Sequence, residues 1–115
     1  MRRNFLRFVF ISLVLTTAIV SAQSKNGTVR GTVLDETGAL IPGVTITLSN
    51  LEKNDVKKGV SNQRGEYAFE TLDAGQYELK AELPGFVTLI VGPIQLKENE
   101  SLRFDLTMKI ARRAR

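Results

Sequence analysis

The 115 residues contain neither histidine nor cysteine, and this removes most of the side chains that protein chemistry relies on. Thiol or serine nucleophiles activated by imidazole, imidazole general catalysis and zinc held by its usual ligands are all excluded. The carboxylates that remain conspicuous, Asp35, Glu36 and Asp73, lie among turn residues, where Asp serves backbone geometry. No Asp-x-Asp-x-Asp-Gly loop for calcium occurs, and Asp35-Glu36 alone is a turn signal. Sugar stacking needs exposed rings, and tryptophan is absent. Tyr67, Phe69, Tyr77 and Phe104 fall on the face that alternation assigns to the interior. Phe86, behind Pro84-Gly85, is the one ring placed to contact a ligand. The expectation is therefore no catalytic residue, no metal, no cofactor and no enzymatic activity.

The elements that would position these residues are strands. The same phrase occurs twice, ten residues apart: Gly65-x-Tyr67-x-Phe69 and Gly75-x-Tyr77-x-Leu79. Each copy is a turn glycine followed by alternating apolar and polar residues, which describes a strand with one wet and one dry face. The link from Thr71 to Gly75 is too short for a helix, so the two copies are expected to pair as antiparallel neighbours. The remaining alternation predicts strands over 28–35 (Val29, Gly31 and Val33 inward), 44–48, 56–61, 66–70, 76–83, 86–91 and 101–109. Gly92-Pro93 is expected to interrupt the chain before Ile94 to Leu96. Pro42 bars the 39–43 linker from a central strand, and the lysines and glycine of 56–61 suggest an edge. In the last strand Leu102, Phe104, Leu106 and Met108 are expected inward. Seven strands at this spacing, with no helical stripe, predict an all-β antiparallel Greek-key sandwich.

Residues 1–22 read as a cleaved signal peptide. Arg2, Arg3 and Arg7 form a positive region, an apolar run covers 8–20, and Val20-Ser21-Ala22 places small residues for a cut between Ala22 and Gln23. As a helix the run would span roughly 20 Å, short of the ~30 Å hydrocarbon core. Arg2-Arg3-Asn4-Phe5-Leu6-Arg7 also matches a twin-arginine export pattern, although the strongly apolar run suits the general secretory route better. Without those arginines 13 basic groups face 12 acidic ones, so nucleic acid is not an expected partner. Residues 23–27 then form a short leader, 28–110 the domain and 111–115 a basic tail. With no disulfide, the apolar core must carry stability. No stable membrane insertion is expected once the signal is removed, and with no cysteine there is no lipid-anchored terminus.

Three phrases carry a resemblance. They are Val29-x-Gly31-x-Val33-x-Asp35-x-x-Gly38 with Pro42-Gly43-Val44; Ser61-Asn62-x-x-Gly65-x-Tyr67-x-Phe69; and Leu72-x-x-Gly75-x-Tyr77-x-Leu79 with Pro84-Gly85-Phe86. Together they resemble the carboxypeptidase regulatory-like domain, with a transthyretin-like sandwich over roughly 28–108. The wording is most similar to the N-terminal domain of TonB-dependent outer-membrane receptors. The resemblance implies structural roles for the glycines, Asp35, Pro42 and the tyrosines. It implies an exported module, periplasmic, outer-membrane-associated or secreted, that contacts an envelope protein or glycan or acts as a spacer. A carbohydrate-binding module and a stand-alone remnant of a receptor domain are the alternatives. Ser61-Asn62 stands where the family often has Thr-Asp, a change that keeps an Asx-type turn.

Overall fold

The computed structural model describes residues 26–112. The signal peptide, its cut between Ala22 and Gln23, most of the leader and the last three tail residues lie outside them. Eight strands form: β1 Gly27–Asp35, β2 Thr45–Asn50, β3 Val56–Val60, β4 Glu66–Leu72, β5 Gly75–Glu82, β6 Leu89–Leu96, β7 Ser101–Arg103 and β8 Leu106–Met108. They make two sheets. In the first, β1 lies between β4 and the pair β7 and β8; the second runs β3-β2-β5-β6. The chain crosses from one sheet to the other after β1, β3, β4 and β6.

Burial alternates as expected along β1, β2 and β5 and through β4 as far as Glu70. In β1 Val29, Gly31 and Val33 are buried, and in β5 Tyr77, Leu79 and Ala81 are. The inward side chains of both sheets merge into one cluster that also takes Ile46, Leu48, Phe69 and Met108. Burying each large aliphatic side chain contributes about 1.5–3 kcal/mol. This shared interior holds together a chain that has no cross-link.

Three expectations are corrected. The tyrosine-bearing strands do not pair: β4 bonds to β1 and β5 bonds to β2, so the two copies sit in opposite sheets. Thr71 takes φ 58° and Gly75 φ 158°, and these bends turn the short link from one layer to the other. The Tyr77 hydroxyl donates to the Asp73 carbonyl at 2.7 Å and pins that corner.

The terminal strand is also two strands, and both run parallel to β1. The sheet is therefore mixed, and the strand count among the described residues is eight, where seven antiparallel strands were expected. The break falls at Phe104. Its N–H donates to the Arg30 carbonyl at 2.8 Å, and a parallel ladder would next turn its carbonyl to the Thr32 N–H. Instead that carbonyl faces inward over Gly31 and accepts the Tyr67 hydroxyl at 2.6 Å. Asp105 Oδ1 fills the vacated place, accepting from Thr32 N at 3.0 Å and Thr32 Oγ1 at 2.9 Å.

The third correction concerns Gly92-Pro93, which lies inside β6. Tyr77 pairs with Ile94 and Leu79 with Val91, so Gly92 and Pro93 bulge opposite Glu78. Pro93 lacks an N–H, and an edge strand tolerates it.

Both edges of the second sheet are blunted. On β3, as expected an edge, Lys57 sits opposite the buried Leu48 and is half-buried, an inward-turned charge that discourages pairing with another chain. Beside it Gly59 leaves room for the Phe69 ring, 3.5 Å from where a β-carbon would sit.

A β-carbon at residue 31 would collide with the backbone of Phe104, which cannot move without releasing Tyr67 and Asp105. Gly31→Ala is expected to cost about 1–3 kcal/mol or more in urea denaturation. Gly59→Ala, meeting only ordinary contact with Phe69, should change stability by less than about 0.5 kcal/mol. Comparable losses at both positions would contradict this account of the break.

Candidate functional site

Side chains able to do chemistry are spread over the surface rather than gathered inside. Asp35 Oδ1 accepts Thr37 N at 2.8 Å, Ala39 N at 3.0 Å and the Thr37 hydroxyl. Its turn closes from Gly38 N to Asp35 O at 3.0 Å. The threonine hydroxyl, foremost, holds its carboxyl below the usual range. Asp73 pairs with Lys53 at 3.0 Å in an exposed loop. The expected Asx turn is present, with Asn62 Oδ1 accepting Arg64 N and Glu66 N, both at 2.9 Å. Among the described residues no group of three or more acidic side chains is placed to hold a metal.

The family-motif residues separate into core and turns. Tyr67, Phe69, Tyr77 and Leu79 are buried, and Gly31 stands opposite Tyr67 across β1 and β4. Gly38, Gly43, Gly65 and Gly85 take positive φ in loops, and Pro42 is exposed in the linker after Ile41. Gly85 follows Pro84 in a turn closed from Phe86 N to Leu83 O at 3.0 Å. Its φ of 88° at the third turn position is what a type II turn asks of glycine. Phe86 is half-buried, packed on the core and bridged through its backbone to Ile110. Only part of its ring is left to meet a ligand.

Two buried polar residues escaped the sequence reading. Ser61 Oγ donates to Ile41 O at 2.8 Å and accepts Val44 N at 2.9 Å, fastening the linker that carries Pro42 and Gly43. Asn50 Oδ1 accepts Glu52 N and Lys53 N, closing the β2–β3 hairpin. Their motif positions gave no sign of burial, because serine and asparagine also mark exposed turns.

The concavity that stands out lies on the outer face of the first sheet. A groove of about 400 Å³ is lined by Arg30, Gly31, Asn62, Glu66, Tyr67, Ala68 and Arg103. In the strand register Ala68, Arg30 and Arg103 form one row across β4, β1 and β7. Ala68 leaves the hollow, and two arginines wall it on adjacent strands. Arg103 Nε contacts Asp105 Oδ1 at 3.2 Å. At the far end Asn62 Nδ2 reaches Glu66 Oε2 at 3.4 Å. Beneath the groove, burial raises the Tyr67 phenol above its ordinary range, and its hydroxyl is occupied by Phe104. The outward direction of both arginines was legible from alternation. Their juxtaposition was not, since it depends on the parallel register of β7.

The sequence profile of the carboxypeptidase regulatory-like domain matches residues 28–109. A search of curated proteins returns no match. Solved structures of similar fold include the catechol 1,2-dioxygenase of Acinetobacter radioresistens (TM-score 0.64, 10% identity, 76% of this chain, 53% of that one). The TIE protein of Bacillus anthracis is another (TM-score 0.60, 24% identity, 74% and 17%). A third is a proposed carbohydrate-binding protein of Bacteroides uniformis (TM-score 0.59, 20% identity, 71% and 40%). At these identities the likeness is one of fold, and the chain spans little more than half of these structures at most.

Asp105 is held below its ordinary 3.8 chiefly by the Thr32 hydroxyl, then by the Thr32 N–H. A carboxyl with a depressed folded pKa contributes stability above its unfolded pKa, and the contribution is lost as pH falls through the folded value. The melting temperature of the wild type is expected to fall more steeply than that of Asp105→Asn as pH drops from about 5 to about 2. At neutral pH the variant should be the less stable of the two. Parallel acid limbs would place the acid sensitivity elsewhere.

Proposed function

The chain belongs to the carboxypeptidase regulatory-like domain family, and from that premise we propose that it is a non-catalytic exported module of the bacterial cell envelope. It binds through its outer surfaces and spaces what it is joined to. The observation that carries this reading is the use of the buried phenols. Both tyrosine hydroxyls, the inward groups best suited to proton transfer, donate to backbone carbonyls at Phe104 and Asp73. Phenols are protonated at neutral pH, and burial moves both further from ionising. The interior is thus spent on holding the sandwich together.

The outward faces are left to do the work. On the outer face of the second sheet Val60 is 64% exposed and Ile90 57% exposed. They flank the Lys80–Glu82 pair, 2.7 Å apart, so that apolar contacts are rimmed by charge, as at protein interfaces. The arginine-flanked export signal and the Ala22 cut support delivery across the inner membrane. A fold shared with modules of much longer chains, such as the streptococcal ancillary pilin (TM-score 0.59, 14% identity), supports the spacer role.

A carbohydrate-binding reading draws on the same fold and on the polar groove, with Phe86 contributing at most a partly covered ring.

Full-length protein with a C-terminal tag, expressed in a bacterial host, should be recovered with Gln23 as its first residue; retained residues 1–22 would overturn export. Immobilised on envelope extract, it should retain a component that Val60→Asp and Ile90→Asp each weaken at least tenfold. Tyr67→Phe, which leaves the inward Phe104 carbonyl without a donor, should keep that binding while losing about 1–3 kcal/mol of stability, and Tyr77→Phe should keep it while losing about 0.5–1.5 kcal/mol. Capture abolished by the tyrosine changes in folded protein, or any turnover lost on a single carboxylate change, would overturn the non-catalytic reading.

A further inference from the structure

The groove over β1 combines features that a merely solvated sheet face does not need. Arg30 and Arg103 are direct partners in the parallel register of β1 and β7, and like charges so placed on neighbouring strands disfavour each other. Asp105 relieves only one of them: it reaches Arg103 through Nε, whereas Arg30 forms no ion pair with any described residue. Both arginines line the hollow beside Ala68, and neither guanidinium's terminal fork is held in an ion pair among the described residues. An anion with two oxygens in a plane is the group such forks hold best.

The other end of the groove is of opposite character. Glu66 supplies carboxylate acceptors and Asn62 its Nδ2 donor, so this end suits hydroxyls, which both donate and accept. Between the two ends the lining is Gly31, Tyr67 and Ala68, with no further charged side chain. A ring bearing hydroxyls and one carboxylate matches both ends at once. The volume lies within the range of small-ligand sites.

We infer that this groove binds a carboxylate-bearing sugar, a uronic acid unit of an acidic polysaccharide, with the carboxylate between Arg30 and Arg103 and hydroxyls on Glu66 and Asn62. It lies on the opposite sheet from Val60 and Ile90, and a protein partner there would leave it open. It rests on the non-catalytic reading only in that the sugar is held and released unchanged.

The test is calorimetric titration of the full chain with an oligogalacturonide, a neutral oligogalactoside of equal length and an oligoglutamate peptide. The oligogalacturonide is expected to bind and the neutral sugar is not. Arg30→Gln should weaken binding at least tenfold with a melting temperature no lower than that of the wild type, since it removes one of two like charges, and Arg30→Lys should recover part of the binding. Ala68→Leu, which fills the hollow while keeping both charges, should also abolish binding. Binding that survives Arg30→Gln or Ala68→Leu would be loose charge attraction and would overturn the site. Equal, Arg30-dependent binding of oligoglutamate would overturn the sugar in favour of an acidic peptide, and no binding of either acid would overturn both. Shortened product in the mixture would overturn the non-catalytic reading while leaving the site standing.

Discussion

One carbonyl organises the first sheet. Phe104 turns its C=O inward over Gly31 to meet the Tyr67 hydroxyl, and a parallel ladder cannot continue through a residue that does so. Three consequences follow from that turn. The last strand splits, Asp105 takes the place of the lost backbone acceptor against Thr32, and Arg103 is fixed beside Arg30. The glycine makes it geometrically feasible, since any side chain at 31 would occupy the space of the carbonyl. The tyrosine makes it favourable, because a buried C=O without a donor would cost about 1–3 kcal/mol. Gly31, Tyr67 and Phe104 therefore act as one unit, although 37 residues separate the tyrosine from its acceptor.

The second tyrosine performs the matching task at the other layer. Tyr77 secures Asp73, so the chain can leave β4 in one sheet and enter β5 in the other within a few residues. The repeated phrase is thus a repeated solution: a strand that buries a phenol and uses its hydroxyl to hold an irregular piece of backbone. Burial raises both phenols, and their protons are committed to carbonyls across the physiological range.

Alternation disclosed the class of fold and the buried face of β1, β2, β4 and β5, and composition disclosed the edge position of β3. These are local properties, written into two-residue periods. Pairing is not local. The Gly65 and Gly75 phrases look like a hairpin because their link is short, and nothing in Thr71 or Asp73 announces that the link changes layers. The terminal strand reads as one alternating run, because Leu102, Phe104, Leu106 and Met108 keep the period through the break. Phe104 nonetheless sacrifices its ladder bond, which only the distant Tyr67 explains. Ser61 and Asn50 are hidden for a related reason: residues that bond backbone serve exposed turns and buried corners alike.

The same non-locality decides where a site can form. Arg30 and Arg103 lie 73 positions apart, and each looks like an ordinary outward charge on an alternating strand. They become a pair only because β7 runs parallel to β1 and stops at Phe104, where Asp105 engages one guanidinium and leaves the other. At the groove β1 is flanked by the three residues of β7, with Ala68 on its other side, and β8 takes up the parallel ladder again beyond the break. The backbone under the hollow is held by the way Tyr67 is satisfied inside, whereas the two arginines that wall it are exposed. Any ligand that ordered those long side chains would cost them rotamer freedom, so the strand backbone and Ala68 are the preformed part of the groove.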